Sequence, residues 1–548
     1  MRHIGAPLAS ASTEEVLDIR NIQGNILAGF NKDHQALLFL KITDAAKAKR
    51  WLQFVAPSIA STEEVLSFNR LFKAMRARRM EEPNGLVATW LNIAFSRDGI
   101  AALTSAVEAD KFKDEGFQVG LPARSPLLGD PTTAGAPGSA ANWKVGKTGA
   151  IPDIVLIVAS DDFNTLQEEV DRLTATLKKI PGSTDSSGSG MKLIFDQRGK
   201  TLPDKLRGHE HFGFKDGISQ PAVRGRISDA PDDFLTPRYV DPTDPRSELF
   251  SEPGSALVHP GQFVFGYQRQ DHNSDRGVPF DPIVGPAWAK NGSYLVFRRL
   301  RQDVAAFRDA MSKQAEQLAK NPGFTGTTAS LLAAKLVGRW PSGAPISRSP
   351  QADDDALGKN DFANNYFAFQ NASTPLPLKN APPHMPDNFA QAPADLEGFS
   401  CPHAAHIRKV NPRDLGTDTG GAHDTLTRRI LRRGIPYGDP LPATAGPKSP
   451  KSKVDRGLLF LCYQTSIESQ FEFLTNHWVN TVAAPEDGGF DIIIGQNGSG
   501  EGRERTIDMT AKDQPSQTLT FRPEWVIPTG GGYFFAPSID ALTTILAG

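Results

Sequence analysis

A chain of 548 residues with a formal net charge of −2 can bury a large core and carries no global charge signal for nucleic acid. Hydrophobic residues make up 39% and charged residues 22%, the balance of a globular enzyme rather than a disordered or fibrous chain. Two cysteines, Cys401 and Cys462, are too few for a disulfide framework and read as reduced structural thiols.

The N-terminal stretch MRHIGAPLASASTEEVLDIRNIQGN has no apolar signal segment, and no run of about 18 apolar residues follows. As written, the chain reads as cytoplasmic, with no membrane partner; secretion with a signal already removed is the open alternative. In chain order, one unit then recurs: an apolar strand-like run followed by a helical pattern. ALLFLKI (36–42) leads into TDAAKAKRWLQFV, TWLNIAF (89–95) into SRDGIAAL, and DIVLIVA (153–159) into SDDFNTLQEEVDRLTATL. In the second half SYLVFRRL (293–300) leads into RQDVAAFRDAMSKQAEQL, and LLFLCYQ (458–464) into TSIESQFEFLTNHWV. The strands are β-branched and aromatic, the helices carry 3.6-period stripes, and Ser or Thr often stands at the helix start. Two groups of such units predict an α+β fold of two halves, each a sheet with packed helices. Strand order is not readable from this pattern. The Pro/Gly-rich stretches 125–140, 182–190 and 229–255 read as surface loops, and the join between the halves falls near 225–260.

Four motifs invite chemistry. GHEHFGFKDGISQPA (208–222) sets Gly213 and Gly217 around Asp216, so the backbone could approach something bulky and flat; a tight Asx-capped turn is the plainer reading. His403 and His406 stand three apart in CPHAAHIRK, as a metal pair or as one ligand beside a bystander. A metal-bound histidine usually donates its other N–H to a carboxylate, and Asp491 in GFDIIIG is a candidate. RRILRR (428–433) offers four arginines. Three further patterns are set aside. GQNGSGEG (495–502) has no helix pattern behind it to hold a phosphate. Asp353, Asp354, Asp355, Asn360 and Asp361 do not fit a calcium loop and read as a solvated acidic turn. Arg70, Lys73, Arg76, Arg78 and Arg79 read as a solvated helix face.

EHFGFKDGISQP resembles the distal-haem motif of the dye-decolorizing peroxidases. IQGNILAGFNK (22–32), NGSYLVFRRLRQDVAAF (291–307), VGRWPSGAPI (337–346), CPHAAHIRKVNPR (401–413), RRILRRGIPYG (428–438) and RGLLFLCYQTSIESQFEFLTNHW (456–478) resemble that family in order. The likeness runs from about residue 20 to the C-terminus and is greatest to the longer members, found in fungi and some bacteria. It implies two ferredoxin-like halves with antiparallel sheets and haem b bound mainly by the C-terminal one. The division expected is an extension over 1–20, a half over 21–240 carrying the distal motif, and a half over 241–548.

The resemblance also implies roles. His406 would be the axial iron ligand, Asp216 the distal acid–base group and Arg432 the distal electrostatic stabiliser. Gly213 and Gly217 would flank the cofactor, Leu458 and Phe460 would line the peroxide pocket, and Arg408 and Arg413 would meet the haem propionates. Tyr437 would be a surface electron-transfer residue. The partners implied are hydrogen peroxide and an organic reductant such as a dye, a phenol or a lignin-like compound. The competing reading is a haem-handling protein with little turnover, which would need His406 but neither Asp216 nor Arg432.

Overall fold

The computed structural model describes residues 14–79, 86–182, 188–238, 248–252, 255–274, 276–280, 285–361, 363–372, 391–498, 503–522 and 524–548. The join expected at 240/241 lies outside them, as do the first 13 residues and parts of the loops at 182–190 and 495–502.

All five apolar runs form strands. β1 (His34–Ile42) is followed by α1 (Ala45–Val55), then β2 (Thr89–Phe95), β3 (Ile154–Ser160), α2 (Phe163–Lys178) and β4 (Met191–Lys200). Asp44 and Asp162 cap α1 and α2 by accepting from Lys47 N and Thr165 N. The second group holds β5 (Ser293–Gln302), α3 (Val304–Leu318), β6 (Leu431–Arg432), β7 (Ile435–Tyr437), β8 (Gly457–Gln464) and β9 (Val526–Ala536). The helical stretch after β8 is π-wound, over Ile467–Glu472 and Leu474–Val479.

The strands of the main sheet are antiparallel. Their order is β6-β8-β5-β9-β2-β3-β1-β4, with β7 also paired to β8. Each half therefore runs second, third, first, fourth strand, the ferredoxin-like order, with the second strand of the later half split into β6 and β7. The halves meet through Phe95 opposite Phe535, giving one nine-stranded sheet. Its ends also approach one another: a Cβ on Gly199 of β4 would lie 2.6 Å from Ile435 on β7. The sheet thus curls into an α+β barrel.

Strand alternation sorts the core. Leu37, Phe39, Ile157, Phe297, Leu459, Leu461 and Phe534 pack together inside the barrel. Leu38, Leu40, Leu156 and Val158 face outward onto Trp51 and Leu52 of α1 and Leu166, Val170 and Leu173 of α2. On the outer face of the later half, Arg298, Leu300, Leu458 and Phe460 border a cavity instead. Cys401 and Cys462 are both buried free thiols, not joined in a disulfide. Asp354 caps a short helix over Asp355–Lys359, consistent with a solvated acidic turn. No helix among the described residues is long and apolar enough to cross a membrane.

Candidate active site

The cavity measures about 310 Å³. On one side lies α4 (His406–Val410), whose first residue faces in. His406 Nδ1 is 2.7 Å from Asp491 Oδ2, and the fully buried Asp491 accepts from Ile493 N and Ile494 N at its other oxygen. A carboxylate can only accept, so Nδ1 carries the ring proton and Nε2 is left with the lone pair that could ligate a metal. His403 offers no such atom. Its ring nitrogens contact Asp487 O (3.0 Å) and Leu396 O (2.9 Å), and it does not line the cavity.

The loop 208–222 lies against the same cavity. Asp216 Oδ1 accepts from Arg432 Nη1 (3.0 Å) and from Gly217 N (2.6 Å). Gly217 (φ +81°) lines the cavity; Gly213 (φ +101°) does not, and it serves to turn the loop, a correction to its expected place at the cofactor. Gln220 clamps the arginine's main chain, accepting from Arg432 N (3.2 Å) and donating to Arg432 O (3.1 Å). Arg433 does not line the cavity; it donates to Asn25 O, Ile26 O and Leu27 O and to Arg432 O. Leu458 and Phe460 sit on the cavity face of β8, while Leu459 and Leu461 turn into the barrel.

A third wall is cationic. Arg413 donates to Asn365 O, Phe367 O and Asn365 Oδ1; Arg339 donates to Gly343 O, Asn364 O and the same Asn365 Oδ1. Both guanidinium groups face the cavity and stack on Phe367. Neither is hydrogen-bonded by a carboxylate among the described residues. Burial pulls Arg339 down to about 9, and burial followed by repulsion from Arg339 pulls Arg413 well below the usual arginine range. Among the described residues this wall thus holds two guanidinium groups without a hydrogen-bonded carboxylate, an arrangement that could receive an anion.

Residues 21–187 match the DyP dimeric alpha+beta barrel domain, and residues 384–488 match the C-terminal domain of Dyp-type peroxidases. Dye-decolorizing peroxidase msp1 of Mycetinis scorodonius is 31% identical over 550 residues, spanning 98% of this chain and 90% of that protein. The chain belongs to the dye-decolorizing peroxidase family. A solved ancestral D-type dye-decolorizing peroxidase covers 97% of this chain and 100% of its own, at 34% identity and a TM-score of 0.74. The dye-decolorizing peroxidase of Auricularia auricula-judae covers the same shares at 29% identity and a TM-score of 0.69. Dye-decolorizing peroxidases are haem-dependent oxidoreductases that use hydrogen peroxide, and this chain is one of them.

Two further expectations for this dye-decolorizing peroxidase are overturned. Arg408 does not line the cavity: it is fully buried, paired to Glu486 (2.7 and 2.9 Å), and donates to Asp395 O, Cys401 O and Leu396 O. Two residues along a helix is about 200° of rotation, so Arg408 leaves the face that presents His406. Tyr437 is not a surface residue. It is 3% exposed inside the barrel, its hydroxyl donates to Asp455 (3.3 Å), and its ring lies under the Arg299 guanidinium. Strand alternation in β7 turns Ile435 and Tyr437 the same way, inward.

Sequence reasoning passed over three groups. Arg339 stood inside a quoted string, VGRWPSGAPI, without a role. Glu210 stood inside the distal motif and lines the cavity. Asn365 had no local signal, because its part is to bridge two arginines distant in sequence.

Proposed function

We propose that this peroxidase binds haem b in the cavity and uses hydrogen peroxide to oxidise dyes, phenols or lignin-like compounds. The observation that carries the reading is the Asp216–Arg432 pair on the cavity that His406, backed by Asp491, also lines. The donor set fits haem. A neutral imidazole backed by a buried carboxylate suits an axial ligand, the Arg339/Arg413 wall suits two propionates, and Leu458, Phe460, Ile493 and Ile494 suit an apolar macrocycle.

Bound haem would supply the iron that takes the peroxide oxygen and the electrons that cleave the O–O bond. The protein's part is proton and charge management. Asp216 accepts the proton from the near oxygen of peroxide and returns it to the far one. The Arg432 guanidinium, held by Asp216 on a main chain that Gln220 clamps, stabilises the negative charge that grows on the departing oxygen. Leu458 and Phe460 keep water from that step. Asp491 holds the imidazole in its tautomer and makes it a stronger donor.

The test is reconstitution with haem b. A Soret band that is lost in His406→Ala, together with a peroxide reaction seen by stopped-flow absorbance and lost in Asp216→Asn, supports the reading. A Soret band with an unaffected Asp216→Asn variant removes Asp216 from the mechanism.

A further inference from the structure

Two carboxyl groups of one loop face the cavity, and their surroundings differ. Asp216 is bound by a guanidinium. Glu210, six residues earlier, has only neutral donors: Phe214 N (2.9 Å) on Oε1, and Phe212 N (2.9 Å) and the Gln302 amide on Oε2. Those donors fix the carboxyl at the wall, between the loop and the end of β5. The charged groups around this wall are already committed. Arg432 is held by Asp216, Arg298 on β5 by both oxygens of Asp130, and Lys215 donates to Gly358 O. His211 turns away to Tyr437 O, and His406 is held by Asp491. No cation among the described residues is hydrogen-bonded to Glu210.

We propose that Glu210 is a positioning residue for the peroxide step, acting through the charge of Asp216. Uncharged, it leaves Asp216 as the one carboxylate that the loop presents to peroxide. Ionised, it places a second negative charge against the hydroperoxide anion. That anion forms when the O–H bond of peroxide breaks and its proton passes to Asp216; no electron moves in this step. Burial followed by the opposing bonds from Phe212 N and Phe214 N leaves Glu210 at about 7, so the change of charge falls in the working range of an enzyme. Two carboxyl groups whose surroundings drive them apart are the usual mark of divided acid–base labour. The inference rests on the peroxidase reading above.

The test is the pH dependence of the bimolecular reaction of haem-loaded enzyme with hydrogen peroxide, from pH 5 to pH 9, in wild type and Glu210→Gln. If the ionised form is inactive, the wild-type rate falls about tenfold between pH 6 and pH 8. Glu210→Gln keeps its acid-side rate across that range. The same falling limb in both proteins, or none in wild type, overturns the role of Glu210 and leaves the peroxidase reading standing. Absence of any peroxide reaction at every pH overturns the peroxidase reading itself. Infrared spectroscopy of wild type carrying ¹³C-labelled glutamate supplies a readout independent of the variant. One neutral glutamate carboxyl at pH 6 that ionises near pH 7 is expected; none at pH 6 overturns the proposal.

Discussion

Arg432 Nη1 lies 3.0 Å from Asp216 Oδ1, although 216 residues separate them in the chain. The pair joins the loop of one half to β6 of the other, and Gln220 locks the contact by gripping Arg432 at both its N–H and its carbonyl. The fold therefore places a carboxylate and a guanidinium side by side.

Removing either member should slow the peroxide reaction. Asp216→Asn loses the proton acceptor, a change of about 10²–10⁴-fold. Arg432→Leu loses the charge stabiliser, a change of about 10²–10³-fold. Arg433→Leu should leave that rate near wild type but lower stability by roughly 3 kcal/mol, because it orphans the carbonyls of Asn25, Ile26 and Leu27. Stopped-flow absorbance and urea unfolding separate the two outcomes.

Arg339 and Arg413 should govern haem retention rather than turnover. A charged hydrogen bond is worth about 1.5–3 kcal/mol, so Arg339→Leu should weaken haem affinity by roughly 10–100-fold. Titration of the haem-free variant with haem measures this. An unchanged affinity would remove Arg339 from the cradle.

Asp491 should act through His406. Asp491→Asn leaves a backing amide in place of the carboxylate, and loss of such a backing partner typically costs about 10–100-fold in metal affinity. The Soret maximum should shift as the imidazole becomes a weaker donor, while His403→Phe should leave the spectrum unchanged.

Arg408 should matter for stability alone. Arg408→Met leaves Glu486 without its partner, and breaking such a pair costs about 3–5 kcal/mol. Urea denaturation should show the loss, and the haem spectrum of the folded fraction should stay as in wild type.

Acid stability should depend on His211 and Glu210 with opposite signs. Burial holds His211 down at about 4, so it binds fewer protons folded than unfolded. Its stability contribution is complete above about 6.5 and is lost as the pH falls toward 4, by about 3 kcal/mol. Glu210 is raised to about 7, so its contribution is complete below about 4.5 and is lost as the pH rises through 7. Glu210→Gln should therefore lose stability more steeply than wild type between pH 7 and pH 4.5, and His211→Gln less steeply. Urea unfolding at stepped pH reads both slopes.

Much of this was legible in the chain. The five apolar runs became strands because burial on both faces demands continuous β-branched and aromatic residues. Two long strands of the main sheet escaped notice. β4 (MKLIFDQRGK) is an edge strand with charged residues facing solvent, and β9 (VIPTGGGYFFA) carries a proline and three glycines that read as breakers. Those glycines answer a tertiary demand: a Cβ on Gly531 would lie 2.3 Å from Leu121, and one on Gly530 2.7 Å from Val145.

The sequence by itself determined which residue types the site holds, because a distal loop, a histidine segment and an arginine segment are each contiguous strings. Direction and burial were decided only by the tertiary structure. Helical rotation takes Arg408 from the cavity, strand alternation takes Tyr437 into the barrel, and packing commits both nitrogens of His403 to main-chain carbonyls. Arg339, Asn365 and Arg413 became a single wall only when the chain brought them together, because a shared hydrogen-bond acceptor is a property of space, not of order along a chain.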